Sequence, residues 1–224
     1  GGTQDNGELY FKTNTWYTNR GGDFDWNYAM DNSTTYAYYV PRIASSGKSV
    51  RRDNYNSPTS SALTLNLPRN ANSFDRFVFS AQDANTGFAK QDTGGIYRTV
   101  NLQTQPPVWT NIWVPSTPTM RGIAISPADA NFLYVILKDK SIYKTVNALA
   151  AVPVFTAMTP APLPVSATNS SGGFAVLKNG IVYMFSDGYV FRSADEGATW
   201  TPVGSGSVTT TLNTQAPIIS LITD

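Results

Sequence analysis

The chain has no cysteine and no histidine among its 224 residues. Those two absences exclude a Ser/His/Asp triad, a Cys/His dyad, a disulfide framework and any zinc or haem site built on Cys or His. Any chemistry would fall to carboxylates, Tyr, Lys, Arg and hydroxyls. Glutamate is almost missing as well, with only Glu8 and Glu196 present. Charge is scarce: 14% of residues are charged, and 16 Lys+Arg against 15 Asp+Glu leave a formal net charge of +1. Such a balance offers no field to attract nucleic acid or an anionic membrane. In the repeat region the longest purely apolar run is Phe132 to Leu137, far short of the roughly 20 residues a membrane helix needs. Neither a nucleic-acid partner nor direct membrane insertion is expected, and no cofactor or metal ion is implied. Capped helical patterns of about ten residues or more are lacking too. The start lacks an initiator Met and a signal-peptide pattern, so Gly1-Gly2 predicts a piece processed or excised from a longer polypeptide. The length suits one domain with a sizeable core, and we read residues 1–224 as one domain.

What is present is a repeat. The stretches "GGIYRTVN…PVWTNI", "KSIYKTVN…PVFTAM" and "GYVFRSAD…ATWTPV" each carry an apolar-aromatic-basic-hydroxyl run, then Asn or Asp, then an aromatic-Thr pair. Ile96, Ile142 and Val190 recur at steps of 46 and 48 residues, and Trp109, Phe155 and Trp200 at 46 and 45. Propeller blades repeat at roughly 40 to 50 residues. In the clearest unit, turn signals separate four strand-like runs: Arg121 to Ser126, Phe132 to Leu137, Ser141 to Val146 and Val154 to Met158. Four short antiparallel strands, one per pass, make a blade.

The template extends backwards. Val50 to Asn54 aligns with Tyr97 to Asn101, with Phe24 to Asp31 and Tyr36 to Ile43 as its first two strands. Before it, Leu9 to Lys12 and Thr15 to Tyr17 supply a third and a fourth strand without an innermost one. At the other end, Ala216 to Asp224 reads as a lone innermost strand. The expectation is an all-β propeller of four-stranded antiparallel blades, about five in number, closed by pairing of the N- and C-terminal strands. A segment of a larger ring would leave the same complementary ends.

Ser193-x-Asp195-x-Gly197-x-Thr199-Trp200 resembles the Asp-box, or BNR repeat, of bacterial sialidases, sortilin-like receptors, xyloglucanases and other secreted propellers. Thr99-Val100-Asn101 with Trp109, and Thr145-Val146-Asn147 with Phe155, are degenerate copies in which Asn replaces Asp. A short acidic side chain accepts N–H groups of its own turn, Gly takes positive φ, and the aromatic inserts between blades. The resemblance implies that this turn joins third and fourth strands on the face away from the ligand site, so that Ser193, Asp195, Gly197, Thr199 and Trp200 are structural. "GGTQDNG" (1–7) and "RGGDFDW" (20–26) resemble segments of sortilin-like propellers in large secreted and surface-attached bacterial proteins. That implies an extracellular module for binding or scaffolding, adhesin-like or an assembly component, with a protein or glycan partner.

On the face opposite the Asp-box fall Asp5 and Asn6, Asp23 and Asp25, Asp92, Asp139 and Asp187. Carboxylates near a propeller axis suit a cation or a hydroxyl-rich sugar, although Asp, Asn and Gly are also ordinary hairpin residues. Asp5, Asn6, Asp23 and Asp25 are the candidate ligand-binding residues because they lie in the family-like segments. The alternative is a glycoside hydrolase using Asp23 with Asp5 or Asp25 as its carboxylate pair. A sialidase would also need an arginine cluster and a Tyr and Glu nucleophile pair, and Glu196 lies inside the box. Gln82 to Gly87 has calcium-loop spacing without the downstream bidentate Glu, so it reads as a β-turn. Trp16, Tyr17, Trp26, Tyr55 and Trp113 are candidates to stack on sugars, though most such aromatics belong between blades.

Overall fold

A computed structural model describes the strands within residues 1–75 as backbone. It describes residues 76–203 with side chains, apart from 92–93, 105, 117–118, 163–171 and 187–188. Every regular element among the described residues is a β-strand. The strands are β1 (Gly2–Thr3), β2 (Gly7–Lys12), β3 (Thr15–Thr18), β4 (Phe24–Ala29), β5 (Tyr36–Pro41), β6 (Arg51–Asn54) and β7 (Ser60–Ala62). There follow β8 (Phe74–Phe79), β9 (Gly87–Gln91), β10 (Gly95–Thr99), β11 (Thr110–Trp113), β12 (Met120–Ile125) and β13 (Leu133–Leu137). The series ends with β14 (Ile142–Thr145), β15 (Thr156–Ala157), β16 (Gly172–Val176), β17 (Val182–Ser186), β18 (Tyr189–Ser193) and β19 (Thr201–Pro202).

They pair antiparallel in chain order into one three-stranded sheet, β1-β2-β3, and four four-stranded sheets, β4-β5-β6-β7, β8-β9-β10-β11, β12-β13-β14-β15 and β16-β17-β18-β19. Each four-stranded sheet is a meander whose strand order matches a propeller blade. The strands expected in the clearest unit are all present: the first keeps its length one residue earlier, and the other three have shorter ends. The outermost shrinks from Val154–Met158 to β15 because the Val154 N–H is held by the Asn147 side chain, at 2.9 Å, and cannot join a ladder. At the start of the chain, β1 adds a short strand ahead of the two expected there. Ala216 to Asp224, and with it the expected closure, lies outside the described residues.

The third, fourth and fifth sheets stack face to face, closest along their first strands β8, β12 and β16. Strand β13 is buried along its whole length, and the two-residue period of a strand divides it between two cores. Leu133, Val135 and Leu137 pack with Phe88, Ile96, Met120 and Ile123 toward the third sheet. Tyr134 and Ile136 pack with Phe174, Val176, Val182, Met184 and Phe191 toward the fifth. A sheet covered on both faces has no polar side, hence the continuous run from Phe132 to Leu137. Each such side chain contributes roughly 1.5–3 kcal/mol by leaving water. Trp113, at the end of the third sheet, stacks on Phe155 of the fourth at 4.4 Å between ring centroids, so it belongs to the contact between sheets.

Three first strands carry a register shift at the same place, against the last residue of the second strand. The shifts fall between Phe24 and Trp26, Phe74 and Arg76, and Met120 and Gly122. The β16–β17 ladder runs without one. The residue set out of register is Asp25, Asp75 and Arg121 in turn.

Candidate functional site

Three turns joining third and fourth strands are built alike. In the last, Ser193 donates its hydroxyl to Asp195 Oδ1 at 2.7 Å and accepts the Gly197 N–H at 2.6 Å. Asp195 Oδ1 also accepts the Thr199 N–H at 2.9 Å, while Oδ2 accepts the Thr199 hydroxyl at 2.6 Å. Gly197 has φ of 88°, and Trp200 donates its indole N–H to Thr159 O at 3.1 Å, in the segment that leads out of the fourth sheet. The earlier turns repeat the first half. Thr99 donates to Asn101 Oδ1 at 2.9 Å, which accepts Val108 N–H at 2.9 Å. Thr145 donates to Asn147 Oδ1 at 2.7 Å, which accepts Val154 N–H at 2.9 Å. In each case the oxygen two residues after a buried hydroxyl takes the N–H just before the aromatic. An amide oxygen performs that task as well as a carboxylate, which is why Asn and Asp interchange.

The longer turns gain a brace that the sequence reading missed. Ser80-x-x-Asp83-x-Asn85 and Ser126-x-x-Asp129-x-Asn131, between first and second strands, fold as matching turns capped by their own Ser and Asp. Asn85 O and Oδ1 accept the N–H groups of Leu102 and Gln103. Asn131 O and Oδ1 do the same for Ala148 and Leu149. Asp83 further accepts the Thr86 hydroxyl at 2.6 Å, so the Gln82–Gly87 segment is organised as a turn by its own groups. The corresponding turn of the fifth sheet is the short Leu177–Ile181 hairpin, where Ile181 donates its N–H to Asn179 Oδ1. The Ser193–Trp200 turn there closes on itself.

Asp195 is fully exposed, yet the Thr199 hydroxyl, the Ser193 hydroxyl and the Thr199 N–H hold its carboxyl down at about 2, from an ordinary 3.8. It is an anion at neutral pH and no proton donor. A depressed folded value means that its stabilisation is complete above the ordinary value and is lost as pH falls through about 2. Thermal unfolding followed from about pH 5 to pH 2 should therefore show a loss of Tm below about pH 4 that Asp195→Asn lacks. At neutral pH, Asp195→Asn should unfold close to the wild type, whereas Asp195→Ala, which removes Oδ1, should unfold lower.

The basic residue of each repeat points forward to the next sheet. Arg98, on the third strand of the third sheet, donates to Ala148 O at 2.7 Å and Ala150 O at 2.6 Å. Lys144, on the third strand of the fourth sheet, donates to Glu196 O at 3.2 Å and meets Glu196 Oε2 at 3.3 Å. Gln82 adds a contact to Ala128 O between neighbouring turns. Beside Glu196 lies a cleft of about 230 Å³ lined by Ser126, Asp129, Tyr134, Lys178 and Asn179. Burial, helped by the Glu196 charge, pushes the Tyr134 phenol well above its ordinary value.

Of the residues expected on the other face, Asp5, Asn6, Asp23, Asp92 and Asp187 lie outside the described residues. Asp139 sits in the turn between second and third strands and accepts the Ser141 N–H at 3.0 Å. Asp25 is the out-of-register residue of β4. Asp75 and Arg121 hold the equivalent positions in β8 and β12, at the sheet end opposite the Ser193–Trp200 turn. Bulges re-aim side chains and recur beside binding sites. Sequence reasoning singled out Asp25 and missed the other two, because Asp, Asp and Arg share no chemistry that a repeat search would align.

No family model matches the sequence and no curated protein matches it. Solved structures do. An auxiliary nutrient binding protein from Bacteroides thetaiotaomicron VPI-5482 superposes with a TM-score of 0.56 at 12% identity, over 78% of this chain and 40% of the other. An ancestral GH74 enzyme gives 0.58 at 15% identity, over 83% and 24%. U3-55K gives 0.55 at 10% identity, over 79% and 50%. The chain thus spans half or less of each protein. At these identities the likeness is one of fold alone: the matches are propeller-like proteins, and this chain is an all-β protein of antiparallel four-stranded sheets consistent with propeller blades.

Proposed function

We propose that the chain is a non-enzymatic binding or scaffolding module of a secreted or cell-surface bacterial protein, built as an Asp-box propeller. In this reading Ser193 to Trp200 is the intact Asp-box, and the ring closes by pairing of the N- and C-terminal strands. One observation supports the non-enzymatic part, among the acids whose side chains are described. Every carboxylate whose side chain is described, Asp83, Asp129, Asp139, Asp195 and Glu196, is engaged by its own turn or by the contact to the next sheet. Acids held in this way make structure and are poorly placed to exchange protons with a substrate. The fold shared with an auxiliary nutrient binding protein agrees with a binding role.

A second reading is favoured by the place of Asp25. On a bulge beside Asp23, and in a fold shared with a GH74 enzyme, it is a candidate carboxylate of a carbohydrate-active enzyme, with Asp5 and Asn6 nearby in sequence. One experiment separates the two readings: expose the purified chain to an array of polysaccharides and glycans, and record both retained protein and released sugar. Retention without release is expected. Asp23→Asn and Asp25→Asn should then weaken retention and leave the fold intact. Sugar release abolished by either substitution would replace the binding module with a glycoside hydrolase.

A further inference from the structure

Tyr134 holds a position that the third sheet gives to phenylalanine. Phe88 stands 46 residues earlier and faces Arg98 across its ladder as Tyr134 faces Lys144. Phe88 is 0% exposed and Tyr134 1%, so both rings serve the same packing and the phenol hydroxyl is an addition to it. No described residue shares a hydrogen bond with that hydroxyl, and a buried polar group left without one is costly. Tyr134 lines the cleft of about 230 Å³ between the Ser126–Phe132 turn of the fourth sheet and the Leu177–Ile181 hairpin of the fifth. The Glu196 charge in that cleft acts on the phenol, so the hydroxyl faces it. Two features open the cleft. Between the third and fourth sheets Gln82 reaches across to Ala128 O, but its equivalent 46 residues later is Ala128, which has no reach. The fifth sheet also has a short hairpin where the fourth has a longer turn.

We propose that this cleft binds one neutral pyranose ring, as a free monosaccharide or as the terminal unit of a glycan, held by Tyr134, Glu196 and Asn179. Glu196 meets Lys144 through Oε2, and no described residue donates to its Oε1, which is left to accept a sugar hydroxyl. Asn179 Oδ1 is taken by the Ile181 N–H, so its amide N–H groups are what it offers. The Tyr134 hydroxyl can donate or accept, and Phe132 supplies an aromatic wall for the C–H face of a ring. The carboxylates of Asp129 and Glu196 are matched by Lys178 and Lys144, so the site has no net charge to draw an ion. Its volume is below the roughly 300–1,000 Å³ of sites for drug-sized ligands, which leaves room for a single small ring. The cleft lies at the sheet end that carries the Ser193–Trp200 turn, opposite the Asp25 bulge, and does not depend on what that bulge binds.

The test titrates the whole chain with glucose, galactose and N-acetylglucosamine, with their methyl glycosides, and with glycine, followed by saturation-transfer NMR. At least one sugar should bind with a Kd on the order of 1 mM, as suits a small ligand. Tyr134→Phe should weaken that binding about 3–10-fold and, without sugar, raise Tm by about 2–4 °C by removing the unmatched hydroxyl. Ala128→Gln, which restores the side chain of Gln82 at the next sheet, should block the cleft and abolish binding with no loss of Tm. Methyl glycosides binding as well as the free sugars would identify a terminal glycan unit, and binding of the free sugars alone a monosaccharide. Absence of sugar binding, or sugar binding that either variant leaves unchanged, would overturn the site. A Tm lowered by Tyr134→Phe would mean that the hydroxyl is already bonded within the chain, with the same result. Binding of glycine and of no sugar would replace the pyranose by a zwitterion. Glycan retention lost in Asp25→Asn but kept in Tyr134→Phe would concern the opposite end alone, so the two sites fail separately.

Discussion

Gly122→Val should destabilise the chain by about 3 kcal/mol, lowering Tm by about 10 °C in thermal unfolding followed by circular dichroism. Gly122 is buried on the first strand of the fourth sheet, where that sheet comes nearest the fifth. A Cβ added there would stand 2.8 Å from Gly172 O and 3.0 Å from Gly173 Cα. Both are backbone atoms of β16, so no side chain can turn aside, and the two sheets must separate. Separation would loosen the packing of Tyr134, Ile136, Phe174 and Met184 between them, adding lost burial to the overlap. Gly122→Ala should show a smaller loss in the same direction. An unchanged Tm for the valine variant would mean that the two sheets are not in backbone contact.

Gly197→Val should come next, at about 2–4 kcal/mol. The φ of 88° at Gly197 excludes a β-branched residue at a cost of about 1–2 kcal/mol or more. An added Cβ would also stand 1.8 Å from Met158 Cε and 3.3 Å from Trp200. Met158 is flexible and will move, but it and Trp200 pack on the core between the fourth and fifth sheets, so the displacement transmits the strain inward. Thr199 and Ser193 bonds close this turn, and proteolysis at 194–199 should accelerate along with the Tm loss. Wild-type proteolysis and Tm in the variant would detach the turn from the core.

The period was legible because it is enforced three times over. An aromatic must fill the gap between sheets, a hydroxyl must be buried at the head of the turn, and a cation must reach forward, so Tyr97-Arg98-Thr99, Tyr143-Lys144-Thr145 and Phe191-Arg192-Ser193 align by eye. The purpose of the cation was not legible. Its acceptors at Ala148 and Ala150 are backbone oxygens about 50 residues away, and a carbonyl leaves no mark in a sequence. The Ser-x-x-Asp-x-Asn brace was written twice, 46 residues apart, but the fifth sheet replaces it with a hairpin, so it did not stand out as a repeat. The bulges holding Asp25, Asp75 and Arg121 are properties of register between two strands, and register is not a property of either strand alone. Asp5, Asn6 and Asp23 were singled out by resemblance, which marks a segment and not a geometry.

The Arg98 and Lys144 contacts run in the same direction, from a sheet to the one synthesised after it, and Lys90 on β9 likewise donates to Met120 O on β12. A newly made sheet therefore carries an unmatched cation on its third strand until its successor emerges, and the successor arrives with the acceptor already shaped by its own turn. By the same logic, duplication of one whole period inserts a unit that satisfies its predecessor and offers its own cation onward, whereas loss of half a period breaks the series at one point.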